Sequence, residues 1–283
     1  MHGLGNDFVI IDGRADNFVP DAHFCITISD RRSGIGCDQV IVMNQPEAPG
    51  ADVFMRVYNL DGSEARACGN ATRCVARLLF EEAERSKVVV QTVVGLLKTN
   101  KNKNGTITAD MGLARLAWDE IPLLKSHDTL HVPLTMGSLA DACCVNIGNP
   151  HAIFFVQDVT AIPLAEYGPM LETDTLFPGR CNIEIAQVLS PERIRMRVWE
   201  RGSGITRACG SAACATLVAA VRRSLSASRA TIVMDGGDVT VEWRDNGHVY
   251  LTGPTAKVFK GVFDDEFLAQ SLSQDYAAIS LAG

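Results

Sequence analysis

Two cysteines stand in matching surroundings in this chain of 283 residues, Cys68 in Arg66-Ala67-Cys68-Gly69 and Cys209 in Arg207-Ala208-Cys209-Gly210. Helix-forming sequence follows each, so each thiol stands where a helix would begin. A thiol with its ordinary pKa of about 8.5 is a poor base at neutral pH, but the exposed amides and dipole of a helix N-terminus favour the thiolate. Both cysteines are therefore candidate bases. The glycine after each removes a side chain where backbone N–H groups would approach an anion, and such a terminus takes a carboxylate or phosphate readily.

One thiol and one anion cradle, present twice, suit a particular reaction. Inverting a carbon centre needs a base on one face and an acid on the other; one thiolate would remove the proton α to a carboxylate and the opposing thiol would return one. The scheme needs no cofactor, and the chain carries no Gly-rich nucleotide fingerprint, no CxxC or HExxH metal spacing and no pyridoxal-phosphate lysine context. Two other chemistries fit the residues alone. A cysteine hydrolase or transferase would use one thiol with His151 as its activating base, leaving the second Cys-Gly pair unexplained. A redox or metal-binding pair of Cys68 and Cys209 would lack ligand spacing and two further ligands.

The elements that position the thiols repeat as well. Laying residue 55 over residue 196 aligns MRVYNLDGSEARACGNA with MRVWERGSGITRACGSA without a gap, and eight of the 17 pairs are identical, which makes the halves copies of one unit. Upstream, LGNDFVII (4–11) echoes IGNPHAIF (147–154). In the first half β-rich runs at 8–11, 40–43, 53–58 and 88–92 surround a helix after Cys68; in the second, runs at 152–156, 193–199, 231–234 and 239–243 surround a helix near 211–222. The expected fold is α+β, two pseudo-symmetric domains that are each a strand-rich mixed sheet wrapped around a central helix. TNKNKNG (99–105) reads as a hairpin turn, and the proline and polar signals of 121–133 place a boundary between a first half, 1–120, and a second, 121–255. A strand near 256–264 is expected to return to the first half, and the tail 265–283 has no readable role.

Composition narrows the partner. A net charge of −7 gives no footprint for nucleic acid or an anionic membrane surface, no apolar run is long enough for a membrane span, and no leader segment opens the chain, so the expected protein is cytoplasmic and its partner a small molecule. Nine cysteines are an odd number in a chain too long to need disulfide staples, and reduced thiols are expected. Apart from Cys68 and Cys209, packing is the expected role for all of them. His2, His23, His127, His131 and His248 read as structural; His151 is singled out by its place in the Gly-Asn-Pro-His echo.

The motifs MHGLGNDF, GCDQ, YNLDGS, ACGNATRC, IGNPHA, CNIE and ERGSGITRACGSAACA, in this order over residues 1 to about 262, resemble the motif set of the diaminopimelate epimerases. These are pyridoxal-phosphate-independent enzymes of lysine and peptidoglycan precursor synthesis. The resemblance implies epimerisation of LL-2,6-diaminopimelate to the meso form without cofactor or metal, with Cys68 and Cys209 as the acid/base thiols and His151 and Glu200 flanking and tuning them. It implies substrate contacts at Asn6, Gln39, Asn59, Gly69 and Asn70 in the first half and at Asn149, Asn182, Glu200, Arg201, Gly210 and Ser211 in the second. Backbone amides of Gly69, Asn70, Gly210 and Ser211 suit the reacting carboxylate, Arg201 a bidentate contact to the distal carboxylate, and the Asn and Glu side chains the ammonium groups. A cytoplasmic homodimer, and an edge strand beginning a few residues before Met1, are implied too. The chain departs from the family pattern at Cys37, Ala71, Ile205 and Ala212, none of which carries a role named here.

Overall fold

A computed structural model describes residues 1–65 and 68–271. The chain divides into two compact units, one made of residues 1–3, 7–101 and the chain from 255 onward, the other of residues 4–6 and 102–254. The turn expected in TNKNKNG forms, with Asn102 N donating to Thr106 O at 2.9 Å. The segment after it packs with the second unit, through a strand over 107–113 and an Arg115–Asn146 bridge.

The first unit contains β1 (His2–Gly3), β2 (Asn6–Asp12), α1 (Ala22–Ser29), β3 (Gln39–Asn44), β4 (Val53–Tyr58), β5 (Glu64–Ala65), α2 (Gly69–Ala83), β6 (Lys87–Thr92) and β7 (Gly95–Lys101). Its strands run in the order β1-β2-β3-β4-β6-β7, with β5 on β4. The β2–β3 and β4–β6 pairs are parallel; β3–β4 and β6–β7 are antiparallel.

The second unit contains β8 (Ile107–Leu113), β9 (Cys143–Asn146), β10 (Pro150–Phe155), a 3-10 turn (Val159–Ala161), α3 (Leu164–Glu172), β11 (Asn182–Ser190), β12 (Arg193–Glu200), β13 (Gly204–Thr206), α4 (Gly210–Arg222), β14 (Arg229–Met234), β15 (Gly237–Trp243) and β16 (His248–Gly253). The order is β8-β16-β15-β14-β12-β11-β10-β9, with β13 on β12. Here β10–β11 and β12–β14 are parallel, while β11–β12 and β14–β15 are antiparallel. The run from β10 to β15 thus repeats that from β2 to β7 element by element, down to a short helix between the parallel strands, which the sequence reading lacks in both copies. The match extends to register. Phe8 pairs with Gln39 where His151 pairs with Asn182, and Val40 with Tyr58 where Ile183 pairs with Trp199.

Each unit is built on its second helix. In α4, Ala212, Ala213, Cys214, Ala215, Thr216, Leu217, Val218, Ala219 and Ala220 are all fully buried, so strands surround the helix rather than covering one face, and its small side chains let them approach. Its core also takes in Val145, Ile153, Ile194, Met196, Ile232 and Val241. In α2, Val75, Ala76, Leu79 and Phe80 are buried while Glu81 to Ala83 face solvent. Beside α1, a cluster of Phe24, Cys25, Ile28, Val40, Val42 and Tyr58 closes the other end of the first unit. After Pro254 the chain returns to this unit by a bridge of Ala256 to His2, and α5 (Asp265–Ser271) lays Phe267 and Leu268 on that cluster. The rest of the tail lies outside the described residues. Among the described residues no helix is long and apolar enough to cross a membrane.

Candidate active site

Cys68 and Cys209 occupy the N-cap positions of the two central helices. Their backbones agree, φ −145° and ψ 112° at Cys68 against φ −128° and ψ 119° at Cys209. Each cysteine carbonyl accepts from the amide four residues on, Thr72 N at 2.9 Å and Ala213 N at 3.1 Å. The first-turn amides of a helix have no acceptor within the helix itself, and in both units the residue after the thiol is a buried glycine. Each mouth therefore presents a sulfur beside N–H groups and the positive end of a helix dipole.

In the first unit Cys68 is half-buried, and Gly69 and Asn70 behind it are buried. Five residues into the helix Arg73 is fully buried, donating from Nη1 to Gly69 O at 3.2 Å and from Nη2 to Asn70 Oδ1 at 2.8 Å. The β3–β4 ladder brings Gln39 and Asn59 together, Gln39 Nε2 donating to Asn59 Oδ1 at 3.0 Å, and Asn59 Nδ2 donates to Ser63 Oγ at 3.1 Å. Asn6, half-buried at the start of β2, groups with the second unit.

The second unit carries a denser polar set. Cys209 is buried, its sulfur 3.5 Å from Ser211 Oγ. Burial pushes this thiol well above its ordinary pKa and the neighbouring Glu200 carboxylate pushes it further, against opposing hydrogen bonds from Ser211 and the Ala212 amide. Glu200 also accepts from Thr206 Oγ1. His151 is fully buried, with Nδ1 2.7 Å from Glu184 Oε1 and Nε2 2.9 Å from Asn149 Oδ1. Asn182, buried beside His151 in the ladder, spends Nδ2 on Pro150 O at 3.0 Å and Oδ1 on Arg201 N at 2.9 Å. It shapes the main chain on both sides. Arg201 is exposed and its Nη1 donates to Gly179 O at 2.9 Å. The segment entering Cys209 is anchored by Gly236, whose amide donates to Arg207 O at 2.7 Å and where a side chain would collide with the Leu4 carbonyl.

The structure thus joins Gln39 with Asn59 in one unit; in the other it joins Asn149 with His151 and Asn182 with Arg201, and sets Glu200 and Ser211 each beside Cys209. The remaining cysteines, 25, 37, 74, 143, 144, 181 and 214, are all buried among packed side chains, as expected. Two further buried residues lie inside the sequence motifs, Arg73 in ACGNATRC and Glu184 in CNIE. The second had a visible signal, a lone carboxylate within the strand NIEIAQV, whose neighbours are mostly apolar. Among the described residues no group of three or more His, Cys, Asp or Glu side chains is placed to hold a metal ion.

Comparison with known proteins agrees in sequence and in shape. The family described as "Diaminopimelate epimerase" matches residues 1–117 and 143–258. The chain is 54% identical over 275 residues to the diaminopimelate epimerase of Rhodospirillum centenum, covering 97% of this chain and 94% of that protein. It is 48% identical to that of Acidiphilium cryptum, with 95% and 96% covered. Among solved structures, a phenazine biosynthesis protein of the PhzF family from Bacillus anthracis superposes with a TM-score of 0.65 at 16% identity, covering 93% of this chain and 95% of that one. A hydroxyproline epimerase from Agrobacterium vitis gives 0.65 at 15% identity, with 89% and 86% covered, and likewise shares the fold.

Proposed function

This chain belongs to the diaminopimelate epimerase family, and we propose that it inverts one α-carbon of LL-2,6-diaminopimelate to give the meso isomer, with Cys68 and Cys209 as the two proton-transfer groups. The observation that carries this reading is the pair of matched helix mouths, each with a cysteine at the N-cap and a buried glycine next to it. One sulfur, as thiolate, takes the α-proton; the electron pair delocalises into the adjoining carboxylate, whose developing charge the first-turn amides of Gly69, Asn70, Gly210 and Ser211 stabilise; the other sulfur, as thiol, delivers a proton to the opposite face. The place of Cys209 supports the acid role, since burial and the neighbouring Glu200 carboxylate both push its thiol above its ordinary pKa.

The side-chain roles belong to the same proposal. Arg201 takes the distal carboxylate, exchanging its contact to Gly179 for the substrate, and Asn6, Gln39, Asn59, Asn149 and Glu200 serve the ammonium groups. Asn182 acts by holding Arg201. His151 and Glu200 tune the thiols. On this reading the enzyme is a cytoplasmic homodimer in lysine and peptidoglycan precursor synthesis and needs no cofactor. The deciding experiment is proton exchange in deuterium oxide. Deuterium should enter the α-carbon of LL-diaminopimelate as the meso isomer forms; conversion without solvent deuterium, or no conversion, would refute the mechanism.

A further inference from the structure

The two units match in register, yet at one place they differ in kind. In the first unit the parallel pair β2–β3 carries Phe8 and Ile41, both buried and apolar. In the second unit the same two places of β10–β11 carry His151 and Glu184, both with no exposed surface. A buried ionisable pair is costly to fold around and is often no more stabilising than apolar residues of similar volume. The first unit shows that this fold accepts the apolar solution. The polar pair is therefore retained for something other than packing.

Its geometry says what. Glu184 Oε1 lies 2.7 Å from His151 Nδ1, while Glu184 Oε2 is buried with no hydrogen-bond partner among the described residues, so the carboxyl is committed to the imidazole. The other ring nitrogen faces Asn149 Oδ1 at 2.9 Å. An amide oxygen only accepts, so Nε2 carries a hydrogen, and one further proton lies in the contact between Nδ1 and Oε1. Both ring nitrogens are thereby fixed, and through Nε2 so is the Asn149 side chain. The other titratable groups acting on Glu184 or near it are Glu200 from β12, Cys144 from β9 and Cys181 just before β11. Burial and Glu200 favour the protonated carboxyl and His151 opposes them.

We propose that Glu184 is a positioning residue for the half-site of Cys209: it orients the His151 ring and, through it, Asn149, an arrangement for which the half-site of Cys68 has no counterpart. The proposal rests on the epimerase reading for its effect on turnover, but not for the state of the ring. In the wild-type protein, ring-15N histidine NMR should show Nε2 of His151 protonated and locked in that state; a ring with Nε2 unprotonated, or averaging between tautomers, would overturn the proposal without any substrate. Glu184→Gln can donate to Nδ1 and keep the ring as it is, so its kcat should stay within about fivefold of wild type. Glu184→Met fills the same space without a hydrogen bond; its kcat should fall about 10- to 100-fold with KM little changed, the scale expected when a supporting group lets reacting parts shift. A folded Glu184→Met enzyme of wild-type kcat would overturn the proposal. Should that variant not fold, ring NMR of Glu184→Ala decides, a ring still locked with Nε2 protonated counting against the proposal. Wild-type deuterium exchange, run alongside, tests the epimerase reading separately.

Discussion

Asn59 and Glu200 hold the same place in the two units: each directly follows the last residue paired with the preceding strand, Tyr58 on Val40 and Trp199 on Ile183, and its carbonyl accepts from the amide three residues on, Gly62 N and Ser203 N, both at 3.0 Å. The turn is the same, but an amide stands in one copy where a carboxylate stands in the other. That carboxylate is next to Cys209 and adds to burial, the larger cause, in raising the pKa of its thiol.

Glu200→Gln makes the second unit resemble the first at this point. Removing the negative charge should lower the pKa of Cys209, so in a Cys68→Ala background iodoacetamide should alkylate Cys209 faster at pH 8 than when Glu200 is present. An unchanged rate would mean that burial alone holds the proton.

Cys68→Ala and Cys209→Ala should each lose about 10²- to 10⁴-fold in inversion, the usual contribution of a positioned acid or base. The remaining thiol can still exchange a proton on its own face. Chiral chromatography of the product, together with deuterium content, separates exchange from inversion, and near-wild-type inversion by either variant would refute a two-thiol mechanism.

Arg201→Ala should cost about 2 to 5 kcal/mol in binding of diaminopimelate, part of it from leaving the distal carboxylate unpaired. Arg201→Lys keeps the charge but loses the planar fork and should fall between the two. The check is the ratio of kcat/KM for LL-diaminopimelate and for L-lysine, which lacks that carboxylate; a ratio that does not move places the distal carboxylate elsewhere.

Stability should decline in alkali because of thiols buried in the core. Burial pushes Cys74 from near 9 up to about 12. A folded pKa above the unfolded value gives stability that is fully present below the ordinary thiol pKa and is lost as pH rises towards 12. Between pH 8 and pH 10 Cys74 alone should account for about 1.4 kcal/mol of that loss. Urea unfolding at both values should show the decline, and Cys74→Ala should make it smaller by this amount.

The chain-local part of the site was legible in sequence. A cysteine before glycine at the start of a helix, repeated at matching positions, survives any detail of packing, so Cys68, Cys209 and their flanking glycines could be named at once. What depends on strand register could not. His151 and Glu184 are 33 residues apart and meet only because β10 and β11 run side by side in one particular alignment. The resemblance implies a substrate contact at Asn182, but nothing local in the sequence shows that its amide bonds the Pro150 carbonyl and the Arg201 amide. Arg73 is the same kind of case. An arginine in a helix ordinarily faces water, and only the crowding of α2 encloses this one.

That enclosure has a consequence for catalytic timing. Arg73 grips the Gly69 carbonyl and the Asn70 side chain from inside the fold, so the walls of the first helix mouth are set when the protein folds rather than when substrate arrives. On the epimerase proposal, their ordering entropy is spent before any encounter, and little reorganisation is left for the moment when charge would develop on the substrate carboxylate. The cradle beside Cys68 is in this sense preorganised.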